Sequence, residues 1–183
     1  MAPNPAEAAE SKEVEAANAE ISKAQSGTAA DDSLLMVAFT IGDQTYGGDI
    51  LQIQEVTGMS HITRVPHVKP YIKGVTNLRG NIVPTLELRT RLGLAARSDE
   101  DAGDQKIMIA RTNMGLLGYI VESVREVITV PKNKIEPTPE DWLDADHKYF
   151  VGIAKLDDNL VTIIDFNRVV ESDKVLLDDL KTG

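Results

Sequence analysis

The sequence predicts a mainly β chain, with short helices at turns and at the C-terminus. Three observations carry this: four stretches that read as hairpins, one further strand stopped by a proline, and few segments with helical periodicity. In the hairpins, apolar and β-branched flanks surround Gly42-Asp43, Gly80-Asn81, residues 112–115 and Asp158-Asn159. The further strand is "VREVITV", residues 124–130, which Pro131 stops. Strands spaced this closely need barrel or sandwich closure to hide their edges.

Taken from the N-terminus, residues 1–33 hold seven acids against Lys12 and Lys23, a charge of −5, with ten alanines and only Val14 and Ile21 as large apolar residues beyond Met1. The expectation is a disordered or weakly helical tail, because so little burial does not offset a chain entropy of about 1 to 2 kcal/mol per residue. "AARSDEDAGDQ", residues 95–105, is a polar loop and the best internal boundary. Thr138-Pro139-Glu140-Asp141 has a capping hydroxyl, a first-turn proline and two acids, which places Trp142 and Leu143 on a short helical turn, with Trp142 as a lid on the core. Asp165 caps a terminal helix whose apolar face runs Phe166, Val169, Val170, Leu176, Leu177 and Leu180, so residues 171–183 are a helical extension.

Composition limits the function classes. The chain has 183 residues, 42% of them apolar, a net charge of −10 and no cysteine, so disulfides, thiolate metal sites and thiol nucleophiles are excluded. No apolar run approaches the roughly 20 residues of a bilayer span, and the N-terminus lacks a secretory pattern, so a cytoplasmic protein without membrane insertion is expected. Residues 61–97 reverse the overall sign, with seven basic residues against Glu87 alone. Such a zone suits an acidic protein partner, whereas the overall charge repels nucleic acid.

Catalytic motifs are missing from the sequence. There is no phosphate-binding G-x-x-x-x-G-K-[ST] loop, and Gly74 and Gly80 do not fit a dinucleotide fingerprint. His61, His67 and His147 lack metal-pair spacing, and Asp157 and Asp158 read as turn residues rather than a carboxylate dyad. A binding module without metal, cofactor or enzymatic activity is expected.

One stretch is unusual for a core hairpin: "GVTNLRGNIVPTLELRTRLGL", residues 74–94. A two-residue turn at Gly80-Asn81 pairs Arg79 with Ile82, Leu78 with Val83, Asn77 with Pro84 and Val75 with Leu86. Asn77 and Arg79 then share one face and Leu78 takes the other. The two polar residues either face a partner or satisfy groups within the domain, such as an acid paired with Arg79.

"YIKGVTNLRGNIVPTLELRTRLGL" resembles the signature of the CheW family, the chemotaxis coupling proteins. "LLMVAFTIGDQTYGGDILQIQEV", "GYIVESVREVI" and "YFVGIAKLDDNLVTIIDFNRVV" are similar to its opening hairpin, central strand pair and closing hairpin with helix. The resemblance covers residues 34–170 and implies two small SH3-like five-stranded β-barrels packed together there, and a scaffold at receptor arrays on the inner face of the membrane. Its implied partners are the regulatory domain of a chemotaxis histidine kinase and the cytoplasmic tip of chemoreceptors, the latter near the groove between the barrels. By motif match, Ile53, Glu55, Gly74, Asn77, Arg79, Gly80, Gly118 and Gly152 occupy positions associated with coupling. Ile53 would offer apolar contact, Glu55 and Arg79 charge complementarity or a mutual ion pair, and the glycines close backbone approach. The chain departs from the family pattern at Gly48, where a β-branched residue is frequent, and at Glu122-Ser123, where an acid followed by glycine is common. Two alternatives remain: a similar scaffold in another receptor-kinase array, such as one for surface motility, and a small-ligand-binding β-barrel sensor.

Overall fold

The computed structural model describes residues 4–27, 31–97, 105–142 and 148–182. Among the described residues eleven strands form two sheets. β1 (Ser33–Ile41), β2 (Gln44–Asp49), β8 (Ser123–Pro131), β9 (Ile135–Glu136), β10 (Phe150–Leu156) and β11 (Asn159–Ile164) lie in the order β8-β1-β2-β11-β10-β9. The second sheet, β3-β6-β7-β5-β4, takes β3 (Ile53–Gly58), β4 (Ile72–Leu78), β5 (Asn81–Glu87), β6 (Lys106–Thr112) and β7 (Gly115–Val121). The mainly β expectation holds, with one sheet of six strands instead of five and neither closed by a continuous ladder.

The second sheet is one uninterrupted piece of chain inserted into the first. Parallel pairing of β2 with β11 joins the N-terminal hairpin to the C-terminal one, and β5 pairs in parallel with β7. The chain crosses back through a single residue, Glu122, between β7 and β8. Glu122 binds the Gly42 N–H at 2.8 Å and the Arg89 guanidinium, so the acid ties the β1–β2 turn to the short helix α2 (Leu88–Arg91). The polar stretch 95–105 is therefore no boundary between sheets. Its ends lead from α2 into β6, within one sheet, because polarity marks solvent exposure and not a domain border; residues 98–104 lie outside the described residues.

Apolar clusters lie on both faces of each sheet, and in β6, "KIMIART", six of seven residues are buried. Val37, Phe39 and Ile41 of β1 meet Met108, Leu117 and Tyr119 of the other sheet in a shared core that also takes Phe166, Val169 and Val170 of α3 (Phe166–Val170). The outer faces form smaller clusters, one around Met36, Val130 and Val161, the other around Val83, Ile107 and Ile109. The unusual Gly48 is explained here: a Cβ would stand 2.3 Å from the Phe166 ring. Asp165 caps α3 as expected, accepting from Asn167 N–H at 2.9 Å. A 3₁₀ turn, Glu171–Asp173, then separates α3 from α4 (Lys174–Thr182). Asp173 is buried against Lys69, at 2.5 Å, and the Tyr71 hydroxyl, which fastens this end to the second sheet. Trp142, on the 3₁₀ turn Glu140–Trp142, is exposed beside the Phe150 ring and does not seal the core as expected; Leu143 lies outside the described residues.

The N-terminus overturns the expectation of a tail. Residues Pro5–Ser26 form α1, a 22-residue helix that packs on β3 and β8. Alanine has the highest helix propensity, and β3 supplies exposed backbone groups that polar side chains of α1 can satisfy.

The second sheet curls because the chain beyond β3 returns to β4. Thr63 and Val75 exchange backbone hydrogen bonds of 2.8 and 2.9 Å, and the Ser60 and Thr76 hydroxyls meet at 2.8 Å. Gly74 permits this approach: its φ is 143°, and a Cβ there would lie 2.0 Å from the Thr63 carbonyl oxygen. Gly74→Ala is expected to cost at least about 3 kcal/mol, lowering Tm by roughly 6 to 12 °C for a domain of this size. Gly80, also at positive φ but with nothing near its would-be Cβ, should cost about 1 kcal/mol as Ala. Thermal denaturation of both variants checks this ordering, and equal losses would contradict it.

Burial, then the hydrogen bond to Asp173, raises the Tyr71 hydroxyl from the ordinary 10.0 to about 12. A raised acid stabilises the fold below its unfolded pKa. That contribution should be lost as pH rises from about 10 to 12. Urea titrations across this window should show a steeper decline for wild type than for Tyr71→Phe; parallel curves would refute the clamp.

Candidate interaction site

The hairpin of β4 and β5 turns at Arg79-Gly80, not at Gly80-Asn81 as the sequence suggested. Leu78 pairs with Asn81, Asn77 with Ile82, Thr76 with Val83 and Val75 with Pro84. Both turn residues have positive φ, 51° and 87°, the pattern of a two-residue type I′ turn. Asn77 makes the turn possible: its Oδ1 accepts the Gly80 N–H at 2.8 Å, which replaces a local backbone contact by a side-chain one. The last hairpin shifts likewise, with Leu156 opposite Asn159 and Asp157 at a φ of 44°.

The turn delivers Arg79 to β3. Its Nη1 and Nη2 donate to Glu55 Oε1 and Oε2 at 2.7 and 2.8 Å, a bidentate fork across the open side of the curled sheet. The Arg79 side chain is nevertheless 73% exposed, whereas that of Glu55 is 13% exposed. The carboxylate thus fixes the guanidinium while leaving much of it in solvent. Ile82, 45% exposed, lies across the ladder from Asn77, and Arg111 donates to Gln54 at 2.9 Å beside Glu55. The result is a rigid polar surface with one exposed apolar residue.

Only part of the expected site set meets here. Glu55, Asn77, Arg79 and Gly80 gather at the turn. Ile53 does not offer apolar contact, being 1% exposed in the shared core. A bulge at Gln54 is the reason, since it turns both Ile53 and Val56 inward. Gly74 serves the closure with Thr63, away from the turn. Gly118 lies inside the second sheet, where a Cβ would meet Ile107 at 3.0 Å and Thr85 at 3.1 Å. Gly152 is in the first sheet, where a Cβ would stand 2.9 Å from the Glu136 carbonyl oxygen. These three glycines admit close packing and present nothing to a partner. Ile82 was missed because the shifted turn placed it opposite Arg79; its position after Asn81 was the available signal. Among the described residues no group of three or more histidine, aspartate or glutamate side chains is placed to hold a metal ion.

The fold has counterparts among known proteins. A family description for the CheW-like domain matches residues 35–174. This chain belongs to the CheW family. The chemotaxis protein CheW of Klebsiella aerogenes is 30% identical over 161 residues, covering 88% of this chain and 94% of that protein. CheW of Helicobacter pylori is 33% identical, covering 82% of this chain and 92% of its own length. Among solved structures, the scaffolding protein TtCheW from Thermoanaerobacter tengcongensis aligns with a TM-score of 0.68 at 33% identity, covering 77% of this chain and 94% of that one. The CheW membership carries a scaffold role in chemotaxis signalling. No helix among the described residues is long and apolar enough to cross a membrane.

An exposed ion pair contributes little even when bidentate, so the Arg79–Glu55 coupling should measure about 0.5 to 1 kcal/mol. A double-mutant cycle of Arg79→Ala and Glu55→Ala, read by urea denaturation, checks this. A coupling above about 3 kcal/mol would instead mark a buried structural pair.

Proposed function

We propose that this CheW-like chain is a non-catalytic adaptor that couples the cytoplasmic tip of chemoreceptors to the regulatory domain of a histidine kinase, with the β4–β5 turn as one contact surface. The observation that carries the reading is the Arg79 guanidinium, oriented by Glu55 and 73% exposed. A cation held in place and open to solvent loses little side-chain entropy on meeting an acidic partner, so the pairing is preorganised. Asn77 and Gly80 fix the turn that carries it, and Ile82 supplies apolar area beside it. The cationic balance of residues 61–97 within an acidic chain adds attraction for an acidic surface. The adaptor itself needs no phosphate acceptor or nucleotide site.

Reconstitution of receptor, kinase and this protein, with phosphate transfer as the readout, tests the reading. Stimulation should require all three components, and the protein alone should neither hydrolyse nucleotide nor become phosphorylated. Arg79→Glu replaces an attraction by a repulsion without touching the hairpin core. Losing a charge-assisted contact of roughly 1.5 to 3 kcal/mol should weaken partner binding by about ten- to hundredfold. A variant that is destabilised yet binds normally when folded would remove Arg79 from the contact surface.

A further inference from the structure

The helix α1 lies wholly before residues 35–174, the part matched by the family description, yet it fills a trench between the two sheets. Its inward stripe follows helical spacing: Glu10, Val14, Ala17 with Asn18, Ile21, and Ala24 with Gln25. Among the described residues of α1 only Ile21 is fully buried, at 1% exposure, where it enters the shared core. Val14, Ala17 and Ala24 are half-buried, and several polar side chains reach strand backbone. The Asn18 amide donates to the Val56 carbonyl at 2.8 Å and accepts the Val56 N–H at 2.7 Å, as a neighbouring strand residue would. Gln25 donates to the Ile50 and Ile53 carbonyls at 2.8 and 2.6 Å, and Glu20 accepts the Val127 N–H at 3.3 Å. The helix therefore covers an edge strand of each sheet, β3 and β8. At its other end, Glu10 pairs at 3.2 Å with Lys106, whose side chain is 5% exposed, and Glu10 approaches Gly58 so closely that a Cβ there would lie 2.9 Å away.

We infer that α1 is a detachable latch: an in-cis occupant of a helix-binding trench, which a partner helix of the same chemistry displaces. That chemistry is an acidic, alanine-rich helix with an isoleucine anchor, an amide three residues before it, and a carboxylate that reaches Lys106. Two features make the latch releasable. One fully buried apolar residue, the half-buried Val14, Ala17 and Ala24, and a set of side-chain hydrogen bonds hold 22 residues, and water can replace the hydrogen bonds when the helix leaves. The connection to β1 is only residues 27–32, and a short tether of this kind gives an effective concentration near the millimolar range. The latch thus excludes weak helices and yields to strong or locally concentrated ones. Release uncovers the β3 backbone and strips Lys106 of its carboxylate, so the trench rewards an incoming acid and an incoming amide together.

The test uses the full chain and a fluorescein-labelled peptide of residues 4–27 as the trans helix, with no receptor or kinase, so its outcome is separate from that of the adaptor reading. In Ile21→Asp the tethered helix loses its anchor, and the peptide, which retains Ile21, should bind at least tenfold more tightly than it binds wild type. Hydrogen exchange at the Val56 amide should accelerate in the variant while the amides of β6 and β7 keep their protection. If Ile21→Asp does not fold, the double variant Asn18→Ala/Gln25→Ala, which preserves Ile21, decides the same question by the same two measurements. Equal binding to wild type and variant, or no binding to either, overturns the latch. So does wild type that dimerises by exchanging α1 between copies.

Discussion

Both sheets bury a face against Phe166, whose ring stacks on Phe39 of β1 at 6.2 Å and tilts on Tyr119 of β7 at 4.8 Å. It also fills the hollow that Gly48 leaves in β2. Its backbone carbonyl accepts the buried Tyr119 hydroxyl at 2.9 Å, so one residue gives each sheet an apolar contact and satisfies the phenol that burial would otherwise strand. The same burial raises the Tyr119 hydroxyl above the ordinary tyrosine range. The core face of the second sheet rests on this layer. The second sheet can carry a rigid turn at its rim because its opposite face is held here.

Curling and latching solve one problem twice. An open five-stranded sheet has two free edges, β3 and β4, and unpaired edges invite unwanted pairing. β4 is covered by the chain that returns through Thr63, and β3 by the side-chain amides of α1. The Arg79–Glu55 fork spans the remaining distance between them. Closing the gap by an ion pair leaves the rim polar and accessible, where a backbone ladder would have sealed it. A scaffold needs that openness.

The hairpins were legible because turn residues and β-branched flanks are local signals. Their registers were less so. At both Arg79-Gly80 and Asp157-Asp158 the turn begins one residue earlier than Gly-Asn and Asp-Asn suggested, because Asn77 braces the first turn from outside it and Asp157 tolerates positive φ. Glu55 and Arg79 lie 24 residues apart, and only the curl brings them together. Motif similarity marked both, but it also marked Ile53, whose inward turn depends on a bulge at Gln54 that no residue type announces. The N-terminal helix was hidden for a different reason. Beyond Val14 and Ile21 its stripe is made of small and polar side chains, which carry little hydrophobic signal, and Asn18 and Gln25 meet backbone groups in and beside a strand that sequence periodicity does not show to be an edge.

The nesting of one sheet inside the other sets an order on biosynthesis. All strands of the second sheet have left the ribosome once residue 121 has emerged, whereas β2 waits for β11, more than a hundred residues downstream, and for Phe166. Until β11 and Phe166 appear, the opening hairpin is a half-sheet with a bare edge and an unfilled hollow at Gly48. Non-local pairing of this kind is slow and leaves sticky surface exposed. The nascent protein is therefore most in need of chaperone cover between the emergence of β7 and that of β11, when seven of the eleven strands among the described residues are already outside the ribosome.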